Sequence, residues 1–317
     1  CSFPPLPGVS VIRRPQARDG GFTTLGSMLK ERGYSTAFYY GGQGIFDHMK
    51  GFFIANGFDR FVEEDDFAQV TYKSSWGVCD EDVFLQADRD FEAQHALGKP
   101  FMAAILTVSL HSPWEFPAGK APLVPKGTEP PPGFDPPELD NFLYADWAVG
   151  RFLETASRKP YFNNTVFVFV GDHGVHLRGR DLVPLPEYRV VSFILAPGFE
   201  PGRFSKPVSQ LDLAPTVLGL LGGSWITPFF GRDILSPGAV QALPWALSIY
   251  KKRRYGVLDG GRFLVRSENG DTLCHIGEGL ALSPGEPDPE GHQALKRGLG
   301  VLLSAEELLK SRRYKPE

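Results

Sequence analysis

Continuous apolar runs and helical repeats alternate over most of the chain. Leu25, Met28 and Leu29 follow Thr23-Thr24 at helical spacing, with Gly33 at the point where that helix would end. Thr36 to Tyr40 (TAFYY) then predicts a buried strand, closed by Gly41-Gly42. Residues 80–97 predict a helix whose acidic first turn suits the positive end of its dipole. Phe101 to Leu110 (FMAAILTVSL) carries apolar residues on both alternating faces, the pattern of a central parallel strand covered on each side. Prolines crowd residues 115–140, among them Pro130-Pro131-Pro132 and Pro136-Pro137, and predict an irregular or polyproline stretch. An amphipathic helix is expected over 138–156. Strands are expected at Thr165–Val170 (TVFVFV) and Val190–Leu195. Residues 212–221 (DLAPTVLGLL) predict a helix that opens on Asp212 and ends at Gly222-Gly223.

Strands thus alternate with helices from 24 to 221, which predicts an α/β fold with a mostly parallel sheet and helices on both faces. Beyond 240 the texture changes. Short strands at 245–250, 254–258 and 262–266 predict a small antiparallel C-terminal sheet. Residues 280–292 read as a loop. Residues 304–312 read as a helix capped by Ser304, with Glu307 three positions on. The expected division is a main domain at 1–235 and a C-terminal subdomain at 236–317.

Composition narrows the function classes. Lys plus Arg is 33 and Asp plus Glu is 37, a net charge of −4, so no basic footprint for nucleic acid is present. Mean hydropathy is −0.17, and no apolar run is long enough to cross a bilayer. Cys1, Cys79 and Cys274 form no CxxC or Cys/His cluster, which argues against structural zinc. Cys1 in place of Met is compatible with a piece of a longer protein, a processed secreted chain or a mature lipoprotein.

Three segments at strand ends are candidates for chemistry. Val170-Gly171-Asp172-His173-Gly174 follows the 165–170 strand, and ligands of open α/β sheets bind at carboxyl ends of strands. The adjacent carboxylate and imidazole suit one Mn²⁺ or Zn²⁺, whereas Asp172 as a turn cap and His173 as a surface residue is the plainer alternative. Ser109-Leu110-His111-Ser112-Pro113 lies at the end of the buried 101–110 strand. His111 either bonds a phosphate or sulfate oxygen, or shuttles a proton, or simply ends a strand. In Tyr40-Gly41-Gly42-Gln43-Gly44-Ile45-Phe46-Asp47-His48-Met49, the glycines either let backbone approach a ligand or serve a turn of positive φ. Neither a P-loop nor a dinucleotide fingerprint is present. His176 is placed to line the same region as His173. His95, His275 and His292 read as solvated. The basic run Lys251-Lys252-Arg253-Arg254 reads as a solvated strand end, with anionic lipid headgroups as the alternative.

In order, these segments resemble the alkaline-phosphatase/sulfatase superfamily, and within it the extracytoplasmic domain of lipoteichoic acid synthase-like proteins and phosphoglycerol transferases. The matching stretches are Pro4–Gly8, Phe22–Gly42, Phe46–Met49, Gly57–Phe61, Ser75–Phe84, Leu106–Trp114, Asn163–Gly174 and Ser209–Gly222. The resemblance implies transfer of a phosphoglycerol-type headgroup in cell-envelope polymer or glycan synthesis, through a Thr or Ser nucleophile and one divalent metal, Mn²⁺ first, with Mg²⁺ or Zn²⁺ as alternatives. It implies Asp172 and His173 as metal ligands and His111 as a headgroup-binding residue. Phe46 and His48 fall where the family places a Trp and an Arg on the substrate. Arg189 stands where many relatives have a His, so it is expected on a phosphate oxygen and a single-metal site is favoured. His48 exchanges a permanent cation for a titratable one. The family's nucleophile precedes the segment at Pro4–Gly8, so it is expected upstream of Cys1, and the residues in view are expected to be inactive alone. Further upstream the resemblance implies membrane helices and a location on the extracytoplasmic face of a bacterial cytoplasmic membrane. The implied partners are a phospholipid headgroup and a glycan or polymer acceptor. Alternatives are a sulfatase or phosphodiesterase-type hydrolase, and an inactive domain that binds an envelope polymer.

Overall fold

The computed structural model describes residues 1–6, 10–120, 129–130, 134–174, 185–237, 247–250, 254–259, 262–267, 270–277, 280–285 and 288–314. His176 and the basic residues Lys251 to Arg253 lie outside them. The helices are α1 (Pro15–Arg18), α2 (Leu25–Lys30), α3 (Met49–Ala55), α4 (Asp80–Ala96), α5 (Pro136–Ala156), α6 (Leu213–Leu220) and α7 (Pro289–Ser311). The strands are β1 (Ser35–Tyr40), β2 (Arg60–Val62), β3 (Lys73–Ser74), β4 (Gly77–Val78), β5 (Phe101–Leu106), β6 (Phe167–Val170), β7 (Ser192–Leu195), β8 (Leu247–Tyr250), β9 (Arg254–Asp259), β10 (Arg262–Ser267), β11 (Gly270–Ile276) and β12 (Leu282–Gly285). They fall into two compact units, one of 18–20 and 24–165, the other of 1–17, 21–23 and 166–317.

The first unit is built on a parallel sheet of order β2-β1-β5, with Ala37 opposite Arg60 and Ala103. Alternation along β1 explains why helices cover both faces. Phe38 stacks on Phe53 of α3 at 4.0 Å, and its neighbour Tyr39, on the opposite face, meets Phe91 of α4. Phe38, Tyr39 and Tyr40 are all buried. Each such aromatic pair contributes roughly 0.5–1.5 kcal/mol beyond its buried area. α2 is closed by a capping box between Thr24 and Ser27. Pro136 opens α5, where the missing amide donor of a first-turn proline costs nothing.

The expectation of a central β5 is corrected. β5 is the edge strand of the parallel sheet among the described residues, and all six of its residues are half-buried. A continuous apolar run reports faces that can be covered, not the number of strand neighbours.

In the second unit β6 and β7 pair antiparallel, Val168 opposite Ile194. The C-terminal sheet is antiparallel as expected, with five strands in the order β12-β11-β10-β9-β8. Two expectations fail here. Residues 280–292 contain β12 and the start of α7, and the terminal helix begins at Pro289, capped by Asp288 accepting from the Gly291 amide. Ser304 is therefore an interior helical residue. Gly298 and Gly300 weaken the helical signal of 289–303, but Gly298 serves packing. A Cβ there would meet Val257 Cγ2 at 2.5 Å, so the glycine lets α7 settle onto the sheet. Ala294, Leu295, Leu299 and Leu302 then bury against Val257, Leu264 and Leu273. Phe22 stacks on Tyr314 at 4.0 Å, tying the segment after α1 to the end of α7.

Candidate functional site

Two groups of candidate residues form, one in each unit. In the first, β1 and β5 run parallel, so the segments after Tyr40 and Leu106 leave the same edge of the sheet. The glycines of the first segment do not serve a turn of positive φ. Gly41, Gly42 and Gly44 are absent from the positive-φ positions. A Cβ on Gly41 would lie 2.5 Å from the Val78 carbonyl oxygen, so the close approach is to the protein's own β4. The left-handed conformation falls instead on Asp47 and His48, at φ 49° and 59°, which join the 3-10 turn Phe46–His48 to α3. Phe46 and His48 are both exposed.

His111 is half-buried in the loop after β5. Its Nδ1 lies 3.2 Å from the Ser109 carbonyl oxygen and 3.3 Å from that of Val108. Both partners only accept, so Nδ1 carries the proton and Nε2 remains for a ligand. The ring packs on Trp76, centroids 4.3 Å apart, and Trp76 in turn meets Phe46 edge to face at 6.3 Å. The indole Nε1 donates to the Ser112 carbonyl at 2.8 Å. Phe46, Trp76 and His111 thus form a continuous aromatic wall. Sequence reasoning placed Trp76 only within a family stretch and gave it no role.

The loop is held from below. Asp80, at the start of α4 and 1% exposed, accepts from the amides of Val108 at 2.9 Å and Ser109 at 3.2 Å. Burial raises its pKa above the ordinary carboxyl range, against the lowering effect of those amides. Asn141 of α5, equally buried, accepts from the Leu110 amide at 2.6 Å and donates to the Glu115 carbonyl at 3.0 Å.

The second group sits after β6. Asp172 and His173 are exposed, with Asp172 Oδ2 3.5 Å from His173 Nε2. Asp172 Oδ1 accepts from the His173 amide at 2.8 Å, the capping bond of the plainer alternative. His173 Nδ1 faces the Gly174 carbonyl at 2.9 Å, which commits its proton there and leaves Nε2 as the lone-pair donor. Two ligands about 2.1 Å from one cation stand roughly 3.0–3.4 Å apart at octahedral to tetrahedral angles. The observed 3.5 Å lies just outside that span, and the pair alone is only a partial donor set. Among the described residues no cluster of three or more metal-ligating side chains forms.

The turn itself is well anchored. The Gly171 amide donates to Val191 at 3.0 Å and the Gly174 amide to Glu187 at 2.8 Å. These bonds lay the turn beside the 187–191 segment, which carries the exposed Arg189. Gln210, which sequence reasoning did not single out, donates through Nε2 to the carbonyls of Gly171 at 2.6 Å and Asp172 at 2.9 Å. His95, His275 and His292 are exposed, as expected.

Among the described residues no helix is long and apolar enough to cross a membrane. The chain is 28% identical over 249 residues to phosphoglycerol transferase I of Xanthomonas campestris pv. campestris, covering 76% of this chain and 34% of that protein. It is 26% identical to the lipoteichoic acid synthase-like YvgJ of Bacillus subtilis, covering 74% of this chain and 40% of that one. It thus spans about a third of the length of the phosphoglycerol transferases it matches. Its fold superposes on a crystal structure of an alkaline phosphatase superfamily protein from Vibrio parahaemolyticus with a TM-score of 0.88 and 31% identity, over 100% of this chain and 75% of that chain. The lipoteichoic acid synthase LtaP from Listeria monocytogenes shares the fold, with a TM-score of 0.77 and 21% identity over 98% of this chain and 78% of that one. The Sulfatase family model matches residues 2–224, and the chain belongs to the Sulfatase family, within the alkaline phosphatase superfamily fold.

Proposed function

We propose that the chain supplies headgroup-binding and metal-binding residues of a divalent-metal-dependent phosphoglycerol transferase in cell-envelope polymer or glycan synthesis. The observation that carries this reading is the similarity to phosphoglycerol transferase I over three quarters of the chain. The similarity to the lipoteichoic acid synthase-like protein and the two strand-end groups support it. The substrate is a phospholipid headgroup, the acceptor a glycan or growing polymer, and the location the extracytoplasmic face of the cytoplasmic membrane. The family match ending at 224 supports placing the catalytic part within 1–235 and treating 236–317 as an accessory subdomain.

Asp172 and His173 would hold the ion; their mixed oxygen and nitrogen donors suit Mn²⁺ or Zn²⁺, and the resemblance to lipoteichoic acid synthase-like proteins puts Mn²⁺ first, with Mg²⁺ or Zn²⁺ as alternatives. Such an ion neutralises charge on phosphoryl oxygens and acidifies a hydroxyl. His111, with Nδ1 committed to backbone, offers Nε2 to the headgroup. Protonated, it donates to a phosphoryl oxygen, and neutral, it accepts from a glycerol hydroxyl. Phe46 and Trp76 shield that contact from water, and His48 stands beside Phe46 in sequence as a further polar contact. Arg189 binds a phosphate oxygen. None of these residues is assigned as the nucleophile.

The test is transfer of labelled glycerol phosphate from phosphatidylglycerol by the natural full-length protein, before and after chelation and Mn²⁺ return. His173→Ala should abolish metal-restored transfer, and His111→Ala should raise KM. Transfer untouched by both substitutions would overturn the reading. The Sulfatase family match favours a hydrolase as the second reading. Release of free glycerol phosphate without acceptor product would select it.

A further inference from the structure

We propose that Asp80 and Asn141 are positioning residues that set the orientation and tautomer of His111, a proposal that rests on the headgroup-binding reading of His111. The argument is one of peptide planes. The Ser109 amide and the Val108 carbonyl belong to one rigid peptide unit, and the Leu110 amide and the Ser109 carbonyl to the next. Asp80 Oδ1 holds the first unit by its N–H at 3.2 Å, and the same unit's carbonyl faces His111 Nδ1 at 3.3 Å. Asn141 Oδ1 holds the second by its N–H at 2.6 Å, and that unit's carbonyl faces His111 Nδ1 at 3.2 Å. Each plane is gripped at its donor end by a buried side chain and presents its acceptor end to the imidazole. Turning either plane moves the carbonyl that accepts from Nδ1.

The grip acts at the strained point of the loop. Leu110 sits at φ 68°, a conformation that costs a non-glycine residue of order 1 kcal/mol and persists only where the surroundings over-determine it. Both gripping side chains come from long helices and are 1% exposed, so they cannot exchange these amides for water. Asn141 also donates to the Glu115 carbonyl, so one side chain ties residue 110 to residue 115. The Asp80 carboxylate also acts on His111 electrostatically, but the grip on the two amides does not need that charge. The grip requires an acceptor oxygen, which an amide also provides.

The experiment uses the full-length protein with isotope-labelled histidine, and reads the His111 ring nitrogens by NMR beside kcat and KM for phosphatidylglycerol. Asn141→Leu and Asp80→Ala should move His111 away from the pure Nδ1–H tautomer and lower kcat/KM about 100-fold, the scale of a misplaced contact group. Asp80→Asn keeps the acceptor oxygen for the two amides and should keep the Nδ1–H tautomer, so it tests the proposal even where another variant fails to fold. Adding His111→Ala to Asn141→Leu should cost no more than about twofold beyond His111→Ala alone, because both act through one ring. An unchanged Nδ1–H tautomer in Asn141→Leu and Asp80→Ala would overturn the proposal, as would its loss in Asp80→Asn or full additivity in the cycle. If His111→Ala alone leaves turnover unchanged, the headgroup reading fails, and the tautomer readout still decides the positioning.

Discussion

The imidazole of His111 lies against the indole of Trp76, ring centroids 4.3 Å apart and planes inclined by 35°. The contact joins two segments 35 positions apart and gives the histidine one apolar face. Its worth is of order 1 kcal/mol, which corresponds to about a fivefold rise in KM when it is lost. Trp76→Ala should raise KM for the lipid substrate by about that factor in steady-state kinetics. Trp76→Phe should fall between, since it keeps a ring but loses the Nε1 donation to Ser112. A change in melting temperature alone, with KM constant, would remove Trp76 from the site.

Leu110 offers a test of stored strain. Its φ of 68° is open to glycine without penalty, and its side chain is 42% exposed, so little packing is lost on truncation. Leu110→Gly should hold stability within about 1 kcal/mol of the parent. Leu110→Val, β-branched at positive φ, should cost about 1–3 kcal/mol. Urea denaturation of the pair decides this.

Two glycines should respond in opposite directions. Gly41→Ala drives a methyl to 2.5 Å from the Val78 carbonyl oxygen, a backbone atom that cannot step aside. It should destabilise by about 2 kcal/mol or more. Gly51 lies exposed in α3 with nothing near its absent Cβ, and Gly51→Ala should stabilise by roughly 0.5–1 kcal/mol. Thermal melts of both variants compare them directly.

The Arg266–Asp271 pair supplies a pH dependence. The two residues face each other across β10 and β11, and the guanidinium donates to both carboxylate oxygens, at 2.7 and 2.8 Å. That pairing holds the Asp271 pKa below its ordinary value. A depressed carboxylate adds stability above its unfolded pKa, about 3.9, and loses it as pH falls through the lower folded value. Both side chains keep solvent contact, so the contribution is about 0.5–1 kcal/mol. Asp271→Asn should lower the melting temperature at pH 7 and make no difference once both states are protonated. An equal deficit at pH 7 and pH 2 would refute the ionic origin.

How much was legible depends on distance along the chain. The helix–strand alternation, the Asp172-His173 pair after β6 and His111 after β5 could all be read from sequence. Each is a local pattern, an apolar period followed by a polar residue where a strand must end. The residues that arm the site could not. Asp80 reaches Val108 across 28 positions, Asn141 reaches Leu110 across 31, and Trp76 reaches Ser112 across 36. Asp80 reads in sequence as a first-turn acid, and Asn141 as one polar position on an amphipathic helix. Only the packing of α4 and α5 shows that both face inward onto three successive amides, two held by Asp80 and the third by Asn141. The edge position of β5 was likewise decided by strand pairing, and the length of α7 by the fit of Gly298 against Val257. Hydrogen-bond partners and close approaches are set by which elements meet. The sequence alone determined the periodicity of those elements and the residues at their ends, and tertiary structure alone determined which of them came together.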